Sequence, residues 1–591
     1  MCGIFALCNY ERKYSVEFIS QQFKKGKMRG PESSQLCKVS QKLMFGFHRL
    51  AINGLHNNSN QPLIKGHIIL ICNGEIYNYK ELYEMMNLDN TVVPNTQSDC
   101  EVILWLYEKY GIEQTLQLLD GVFSFVLLDQ RLSLPGEALL YIARDPYGVR
   151  PLYSIHQQSI FSDVETTVGF ASELKVLSQF VLEQPSLSYT VEQFTPGTYS
   201  TYSFSDKVCS EWKPVSKNVV YHRTGFCPIF DKISPDVVQN IITGIQTHLV
   251  KAVEKRCSTT ERPIACLLSG GLDSSLITAL VSEYHKSNGL PTVETYSIGL
   301  AESVDLKYAK LVAEHLGTKH TEIILTEEEF CQALPTVIKA IESYDTTTVR
   351  ASIGNYLLGD YISKHSEAKV IFNGDGSDEL LGGYLYMKSA PDPIEFDKEC
   401  RRLLKDIHKF DVLRSDKCIS SHGLEPRTPF LDRAWTQYYL SISPYIRQFS
   451  GNTEKYWLRF AFSAENYLPP SGLLSLLPDE VLWRKKEAFS DGVSGEHRSL
   501  YQILQDYCSE KCPLENYMSY EKMAKSNPSM KKVSVNFPKT AEQYYYRYVF
   551  ETEYTGMGNV VPYFWMPKYI EATDASARTL STYKYTNKDE K

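Results

Sequence analysis

Hydrophobic and polar residues alternate in short runs along the first third of the chain, with Asn, Gly and Pro between the runs. Three such runs, at 67–72, 122–129 and 137–145, predict β-strands. Apolar residues recur at helical spacing over 15–28 and 99–110 and predict two helices. Strands and helices of this kind predict an α+β domain.

The second part of the chain has a different pattern, in which buried strands alternate with helices. The predicted strands cover 263–268, 292–300 and 369–373, and helices follow the first two of them. Such alternation predicts a parallel sheet covered by helices, an α/β domain. From about residue 393 the pattern is mainly helical, which predicts helices added to that domain.

Between these two patterns lies a polar stretch, from about residue 200 to residue 234, that has no sustained period. We therefore predict a first domain over 1–205, a linker over 206–235 and a second domain over 236–591. A length of 591 residues also favours more than one domain, because a single core stops growing well below that size.

Composition and charge narrow the class of partner. The chain is 43% hydrophobic and 22% charged, which is typical of a globular protein. Its net charge of -8 argues against a nucleic-acid or anionic-membrane surface, because either would favour a basic excess. No window approaches the ~20 apolar residues of a membrane span, and the N-terminal apolar stretch is too short for a signal peptide. We expect a cytoplasmic protein that acts on small molecules.

Cys2 directly follows the initiator methionine. Removal of Met1 would leave a thiol and a free α-amine on one residue, and such an amine has a pKa of about 7.7 to 8, suited to a general base. Taken alone, this start is a weak signal, because a buried structural cysteine is the commoner interpretation.

Five motifs accompany Cys2 in order: RGP at 29–31, FHRLAING at 47–54, NGEIYN at 73–78, QSDCE at 97–101 and ARDPYGVRPLY at 143–153. Together they resemble the class II glutamine amidotransferase domain, an N-terminal-nucleophile hydrolase with an αββα sandwich. The resemblance implies that Cys2 is the nucleophile and that Asn73 and Gly74 stabilise the oxyanion. It implies the following glutamine-binding residues: Arg49, Leu50, Ala51, Ile52, Asn53, Asn73, Gly74, Glu75 and Asp99.

Within this set, Arg49 would bind the substrate carboxylate, and Glu75 and Asp99 would bind its ammonium group. A structural interpretation stays open, in which Asn73 and Gly74 turn a hairpin while Arg49 and Asp99 are surface charges. Two positions depart from the family pattern: Met28 replaces a histidine, and Glu32 replaces an aspartate.

The run SGGLDSS at 269–275 follows a predicted strand and opens a helix, a context in which backbone N–H groups bind phosphate. It lacks the lysine of a Walker A loop and the spacing of a dinucleotide fingerprint. It resembles the loop of ATP pyrophosphatases, which transfer AMP to a carboxylate. This resemblance implies that ATP is bound by Ser269, Gly270, Gly271, Asp273, Ser274 and Ser275, and a resemblance to the asparagine synthetases adds Leu267, Ile298, Asn373 and Gly374.

Three further segments, at 342–352, 372–386 and 483–492, and the tail from residue 563 resemble the asparagine synthetases, so the resemblance covers nearly the whole chain. It implies an aspartate and phosphate pocket with Thr347, Thr348 and Arg350, and Mg²⁺ bound by Asp273 and Asp378. It also implies that Lys486 stabilises the α-phosphate and that Asp375 stands where the family has a catalytic glutamate.

The reaction that the resemblance implies uses glutamine, aspartate and ATP. The resemblance also implies that ammonia passes through an internal tunnel and that the protein forms a homodimer. Asp375 is one methylene shorter than the family glutamate, and Asn373, Pro426 and Thr428 also depart from the pattern. Two alternatives therefore stay open. One is an amidotransferase acting on another carboxylate, and the other is a catalytically impaired homologue.

Overall fold

A computed structural model of the chain describes residues 1–87, 92–131, 137–158, 166–183, 188–205, 210–229, 234–495, 498–512 and 536–579. The predicted linker lies partly outside these residues, at 206–209 and 230–233, as does the end of the tail from residue 580. Among the helices that the structure describes, none is long and apolar enough to cross a membrane.

The first part of the chain forms two antiparallel six-stranded sheets. Its strands are β1 (Gly3–Cys8), β2 (Ser33–Ser40), β3 (Leu43–Arg49), β4 (Leu63–Lys65), β5 (Ile68–Ile76), β6 (Gly121–Asp129), β7 (Glu137–Arg144), β8 (Tyr153–Gln158), β9 (Val168–Ala171), β10 (Ser188–Gln193), β11 (Thr198–Ser205) and β12 (Lys213–Val220). The strand orders are β10-β8-β9-β1-β3-β2 and β12-β11-β7-β6-β5-β4. Its helices are α1 (Val16–Lys24), α2 (Tyr79–Met86), α3 (Val102–Leu118) and α4 (Leu174–Leu182).

The two sheets pack against each other, with helices on their outer faces. Ile4 and Phe47 of the first sheet share one hydrophobic cluster with Val126 and Leu140 of the second. Helices α1 and α4 contribute to the cluster on the other face of the first sheet, and α2 and α3 do so on the second. Alternate side chains along β1 therefore pack into two different cores. Both faces of the strand are buried, which explains why all of its residues are small or apolar.

The second part of the chain is built on a parallel sheet of order β15-β14-β13-β16-β17. Its strands are β13 (Ile264–Leu267), β14 (Glu294–Leu300), β15 (Lys319–Leu325), β16 (Val370–Phe372) and β17 (Glu425–Arg427). Its helices are α5 (Pro235–Ser258), α6 (Leu272–Ser287), α7 (Val304–Leu316), α8 (Glu327–Ile341), α9 (Thr346–His365), α10 (Ser377–Leu381), α11 (Pro393–Asp406), α12 (Asp411–Ser420), α13 (Arg433–Ser441), α14 (Pro444–Arg447), α15 (Tyr456–Ala461), α16 (Asp479–Leu482), α17 (Phe489–Gly492), α18 (Leu500–Lys511) and α19 (Ala541–Glu553). The predicted parallel sheet is confirmed.

Short 3₁₀ turns occupy Lys27–Arg29, Asn57–Ser59, Asp99–Glu101, Leu385–Ser389, Ile407–Lys409, Pro429–Leu431, Gly558–Val560 and Ala577–Thr579. Strand β12 lies within the range predicted as a linker, where it pairs with β11 and extends the second sheet. Most β12 side chains are exposed, so this edge strand has no apolar period to reveal it.

The two parts of the chain share an extensive apolar contact. Leu50, Ile52 and Val149 from the first part lie in one cluster with Ile277 and Leu431 from the second. A continuous core of this kind holds the two parts in a fixed relation, unlike a polar interface that permits domain motion. Any site built from both parts therefore rests on a rigid scaffold.

Candidate active sites

Cys2 lies immediately before β1, at the junction of the two parts of the chain. The Arg29 Nε donates to the Cys2 carbonyl oxygen at 2.9 Å, and the Cys2 thiol lies 3.5 Å from the Leu50 carbonyl oxygen. Burial raises the pKa of the Cys2 thiol. The Met1 amine is buried and donates to the Leu424 carbonyl oxygen at 3.4 Å, and burial lowers its pKa to about 6. The N-terminus is thus held at the domain interface.

Asn73 and Gly74 lie inside β5, opposite Ser124 and Phe123 of β6, so they do not turn a hairpin. The Asn73 Nδ2 donates to the Ser172 Oγ over a long 3.5 Å, and its Oδ1 is buried with no hydrogen-bond partner among the described residues. Gly74 is required by packing, because a Cβ there would lie 2.5 Å from the Val122 carbonyl oxygen. The Asn73 amide therefore keeps hydrogen-bonding capacity for a ligand.

Arg49 is buried rather than a surface charge. Its Nη1 donates to the His56 carbonyl oxygen at 3.0 Å and to the Asn60 Oδ1 at 2.8 Å, and its Nη2 donates to the Gly54 carbonyl oxygen. No carboxylate of the described ranges forms an ion pair with it. A positioned and uncompensated guanidinium is suited to binding a substrate carboxylate.

Glu75 and Asp99 are both buried, and each has one oxygen fixed by the protein. The Asn53 Nδ2 donates to the Glu75 Oε2 at 2.7 Å, and the Ile76 backbone N–H donates to the Asp99 Oδ2 at 2.7 Å. Burial raises the pKa of Asp99 to about 6, and burial and the nearby Asp99 raise the pKa of Glu75. A cationic ligand would offset the free-energy cost of burying these two ionised carboxylates, which fits an ammonium-binding role.

The loop that carries Leu50, Ala51 and Ile52 is fixed from both parts of the chain. Leu50 and Ile52 pack into the shared core, so only their backbone can face a ligand. The Ala51 N–H donates to the Glu32 Oε2 at 2.7 Å, and the Arg262 Nε donates to the Ala51 carbonyl oxygen at 2.8 Å. Glu32, one of the two departures from the family pattern, thus supports the loop.

A cleft of about 170 Å³ lies at the carboxyl ends of β13, β14 and β16, where parallel α/β sheets bind ligands. Most predicted residues of the second site line this cleft: Leu267, Ser269, Gly271, Asp273, Ser274, Ile298, Thr347, Asn373, Gly374, Asp375, Asp378 and Lys486. The lining combines the apolar Leu267 and Ile298 with charged side chains such as Asp273, Asp378 and Lys486. That arrangement suits a nucleotide with an apolar base and a charged phosphate tail.

Four predicted residues do not line the cleft. Gly270 adopts φ +73° and packs against α7, where a Cβ would lie 2.4 Å from the Ala309 backbone nitrogen. Ser275 is buried in α6. Thr348 lies in the first turn of α9, where its N–H and hydroxyl both donate to the Oδ2 of the capping residue Asp345, at 2.9 and 2.7 Å.

Arg350 is the fourth of these residues, and its guanidinium is paired on both edges. It contacts Glu542 at 2.6 Å and Asp574 at 2.7 Å, which ties α9 to the C-terminal region. Both edges of the Arg350 guanidinium thus bind carboxylates of the C-terminal region, and its role in the aspartate and phosphate pocket stays a prediction.

Two lysines bridge the carboxylates of Asp273 and Asp378. The Lys455 Nζ lies 2.7 Å from Asp273 and 2.6 Å from Asp378, and the Lys486 Nζ lies 2.6 Å from Asp378. Burial alone would lower the pKa of Lys486, but the Asp378 and Asp273 carboxylates raise it. Sequence analysis missed Lys455, which lies in none of the recognised motifs and reaches the cleft from before α15.

Asp375 lines the cleft beside two residues that sequence analysis also missed. Its Oδ1 lies 3.5 Å from the Arg414 Nη2, and Arg414 in turn pairs with Asp411. The Asp375 Oδ2 is buried and has no hydrogen-bond partner in the part of the chain that the structure describes. Burial raises the pKa of Asp375. A carboxylate of this kind can take up a proton from a ligand.

The short strand β17 joins the two sites. On one side, the Asn373 N–H donates to the Arg427 carbonyl oxygen at 3.1 Å, so β17 supports the end of β16 at the cleft. On the other side, the Arg427 guanidinium lies 3.3 Å from Glu75 and 2.9 Å from Glu425, and Glu425 lies 3.7 Å from Arg150. Nearby, the Thr428 hydroxyl is buried with no partner among the described residues.

Asp273 and Asp378 are also the residues predicted to bind a metal. Because both contact the same Lys455 ammonium group, they are close enough to share one cation. No group of three or more His, Cys, Asp or Glu suited to a metal occurs in the described ranges. Two carboxylates suit Mg²⁺, which usually keeps several waters and completes its shell with substrate phosphates.

The fold and the two sites define a two-domain enzyme with an amidotransferase-like first part and a nucleotide cleft in the second. Residues 1–212 match the family described as glutamine amidotransferase domain, and residues 244–394 and 388–547 match the asparagine synthase family. The chain is 41% identical over 599 residues to the glutamine-hydrolyzing asparagine synthetase of Gallus gallus and 40% over 601 residues to that of Homo sapiens. Each alignment covers 99% of both chains. The chain belongs to the glutamine-hydrolysing asparagine synthetases, a family of ligases.

Proposed function

We propose that the chain makes asparagine from aspartate, with glutamine as nitrogen donor and with cleavage of ATP to AMP and diphosphate. The observation that carries the proposal is the joining of two complete sites by β17. One site combines a cysteine with an amide that has an unsatisfied oxygen, a guanidinium that forms no ion pair among the described residues, and two buried carboxylates. The other is a cleft that combines the apolar Leu267 and Ile298 with charged side chains, among them Lys486.

At the first site, the proposed nucleophile is the Cys2 thiolate after removal of Met1, with the new α-amine as base. Attack on the glutamine amide carbon forms a C–S bond, and the amide nitrogen leaves as ammonia. Asn73 and Gly74 would stabilise the oxyanion, and water would then hydrolyse the thioester to glutamate. The αββα layers fit the N-terminal-nucleophile hydrolase class that we propose for this domain.

At the second site, an oxygen of the aspartate β-carboxylate would attack the α-phosphorus of ATP, and diphosphate would leave. Lys486 would stabilise the negative charge on the five-coordinate phosphorus. Mg²⁺, held by Asp273 and Asp378, would neutralise phosphate charge. Ammonia would then attack the aspartyl carbonyl and displace AMP, with Asp375 as the carboxylate that accepts a proton.

Ammonia would reach the cleft through an internal tunnel along β17, where Arg427 contacts the first site and supports Asn373 of the second. The proposal also includes a homodimer in the cytoplasm, and both of these rest on the family resemblance. Light scattering of the full chain tests the dimer.

The test of function is the production of AMP and asparagine from aspartate, ATP and Mg²⁺, with glutamine or ammonium chloride as donor. We expect equal amounts of AMP and asparagine with both donors. Glutamine hydrolysis without AMP would contradict the proposal and favour a catalytically impaired homologue. AMP formation only with a different carboxylate in a substrate panel would favour another amidotransferase.

A further inference from the structure

A second cavity, of about 840 Å³, lies between the two parts of the chain. Its walls come from five segments, at 146–147, 192–198, 220–224, 401–409 and 559–562. None of its lining residues lines the ATP cleft, and none belongs to the proposed glutamine site. Its volume falls in the range of about 300–1,000 Å³ that is typical of small-molecule sites.

The charged groups around this cavity are mainly cationic. Arg223, Arg401, Lys405 and Lys409 line it, against the carboxylates of Glu192 and Asp406. Asp406 already accepts from the Lys409 Nζ at 3.0 Å and from the Tyr563 hydroxyl at 2.5 Å. Within the described residues, Arg223 and Lys405 form no ion pair. A positive cavity on a chain of net charge -8 attracts anions.

Two side chains that line this cavity each carry a buried polar atom without a hydrogen-bond partner among the described residues. Arg401 contacts Asp397 at 2.7 Å and the Gly225 carbonyl oxygen at 2.7 Å, but its buried Nη2 has no acceptor in the described ranges. The His222 Nε2 is also buried and has no partner there. Burial lowers the pKa of His222 to about 4, so its ring is neutral at physiological pH and can donate one proton.

Part of the remaining wall is apolar. Tyr147 packs edge-on against the His222 ring, with centroids 5.6 Å apart, and Leu404 and Val560 are buried at the same cavity. Pockets that bind organic ligands combine such apolar surface with a few placed polar groups. An inorganic ion would leave most of this apolar wall uncovered.

We propose that this cavity binds a small organic polyanion, whose phosphate or carboxylate groups meet Arg401, Arg223 and Lys405 while its carbon frame packs on Tyr147 and Leu404. Guanidinium groups bind both kinds of anion in a bidentate manner. Because its walls come from both parts of the chain, the ligand would bridge them and stabilise the assembled fold. This site is separate from the two that carry the proposed reaction.

The test is calorimetric titration of the full chain with fructose 1,6-bisphosphate, a phosphate probe without a purine, and with citrate, a carboxylate probe. Ionic strength is matched with sodium chloride. We expect saturable binding of at least one probe, and a rise in the thermal unfolding midpoint that saturates with it. Binding of only the first assigns the site to phosphate esters, and binding of only citrate assigns it to polycarboxylates.

Arg223→Gln and Lys405→Gln each remove one exposed charge that makes no ion pair among the described residues, so folding should be preserved. Each should weaken binding about tenfold, the effect of one lost charge-assisted contact. Lys398→Gln, on the same helix α11 but outside the cavity, is the matched control and should bind as the wild type does. Absence of saturable binding by both probes, or equal binding by all three variants, would overturn the proposal. Asparagine synthesis in the absence of probe, measured in parallel, tests the proposed function independently.

Discussion

Asp99 and Glu75 form a pair of buried carboxylates beside the proposed glutamine site. Neither has a lysine within ion-pair distance in the described part of the chain, and the nearest guanidinium, that of Arg427, contacts only Glu75, at 3.3 Å. Burial raises the pKa of Asp99 to about 6, within reach of ordinary experiments. The α-ammonium of glutamine would favour the ionised carboxylate, so binding and proton release should be linked.

We therefore predict that glutamine binds more weakly below pH 6. Protonated Asp99 offers the ammonium group no charge, and affinity should fall by up to about tenfold for each pH unit below its pKa. Calorimetry on the Cys2→Ala variant between pH 5 and 8 measures the dissociation constant without turnover. Asp99→Asn in the same background should bind weakly at every pH and should have a smaller pH dependence, because only the Glu75 carboxylate, whose pKa burial also raises, then titrates at the site. A dissociation constant of the Cys2→Ala variant that does not change between pH 5 and 8 would contradict the assigned role.

Asp375 is the proposed proton acceptor in the cleft. Its carboxylate lines the cleft with one oxygen unpartnered among the described residues, as expected for a group that exchanges a proton with a ligand. Asp375→Asn keeps the shape but removes the base, so ammonia-dependent asparagine formation should fall about a hundredfold or more. Glutamine hydrolysis in the same variant is the internal control and should change little. Unchanged asparagine formation in Asp375→Asn would show that Asp375 is not the base.

Among the secondary-structure elements, the three-residue strand β17 contacts residues of both sites. Its three residues are buried, and two of them, Glu425 and Arg427, form a charge network with Glu75 and Arg150. Arg427 also donates to the carbonyl oxygens of Arg256 and Thr259. Removal of one partner from such a buried network leaves uncompensated charge.

Arg427→Met should therefore destabilise the fold by about 3 to 5 kcal/mol, because Glu75 and Glu425 would lose their shared cation. Arg498→Gln is the contrasting control, since Arg498 is 49% exposed in its ion pairs and should cost less than about 1 kcal/mol. Urea unfolding of both variants, followed by circular dichroism, measures the difference. Similar losses in the two variants would contradict a structural role for the β17 network.

Helices and strands could be predicted from the sequence where a buried face gives their hydrophobic residues a regular spacing. Strands β5, β6, β13 and β14 lie close to the predicted ranges, because each has at least one buried face. Strand β12 was missed because it is an exposed edge. The helix predicted from residue 99 begins as a 3₁₀ turn and continues to Leu118 across a kink at Gly111, whose φ of +74° is not helical. Local sequence does not show how far a helix continues past such a break.

Site residues were predictable where a motif is local. The loop at 269–275 and the segment at 73–75 fall in the two sites because each motif folds as a unit. Pairing across the fold was not predictable. Arg350 meets Glu542, a residue 192 positions away, and Lys455 reaches Asp273 from 182 positions away. No pattern in a single sequence specifies such contacts.

At the scale of the whole molecule, the two parts of the chain share a hydrophobic core and a buried charge network. Arg29 links Glu173 of the first part to Asp416 of the second, at 2.7 Å each, while the same arginine holds the Cys2 carbonyl. One side chain thus contacts both the proposed nucleophile and the interface. This arrangement gives each site its own chemistry while the rigid interface keeps their relative position.

The central claim is that glutamine hydrolysis and carboxylate activation are separate reactions coupled only by ammonia. The most direct test is asparagine production by Cys2→Ala, with glutamine and with ammonium chloride as donors. We predict complete loss with glutamine and a rate within about twofold of the wild type with ammonium chloride, because Cys2 does not line the ATP cleft. Loss of both activities, in a variant whose thermal unfolding midpoint matches that of the wild type, would contradict the separation of the two sites.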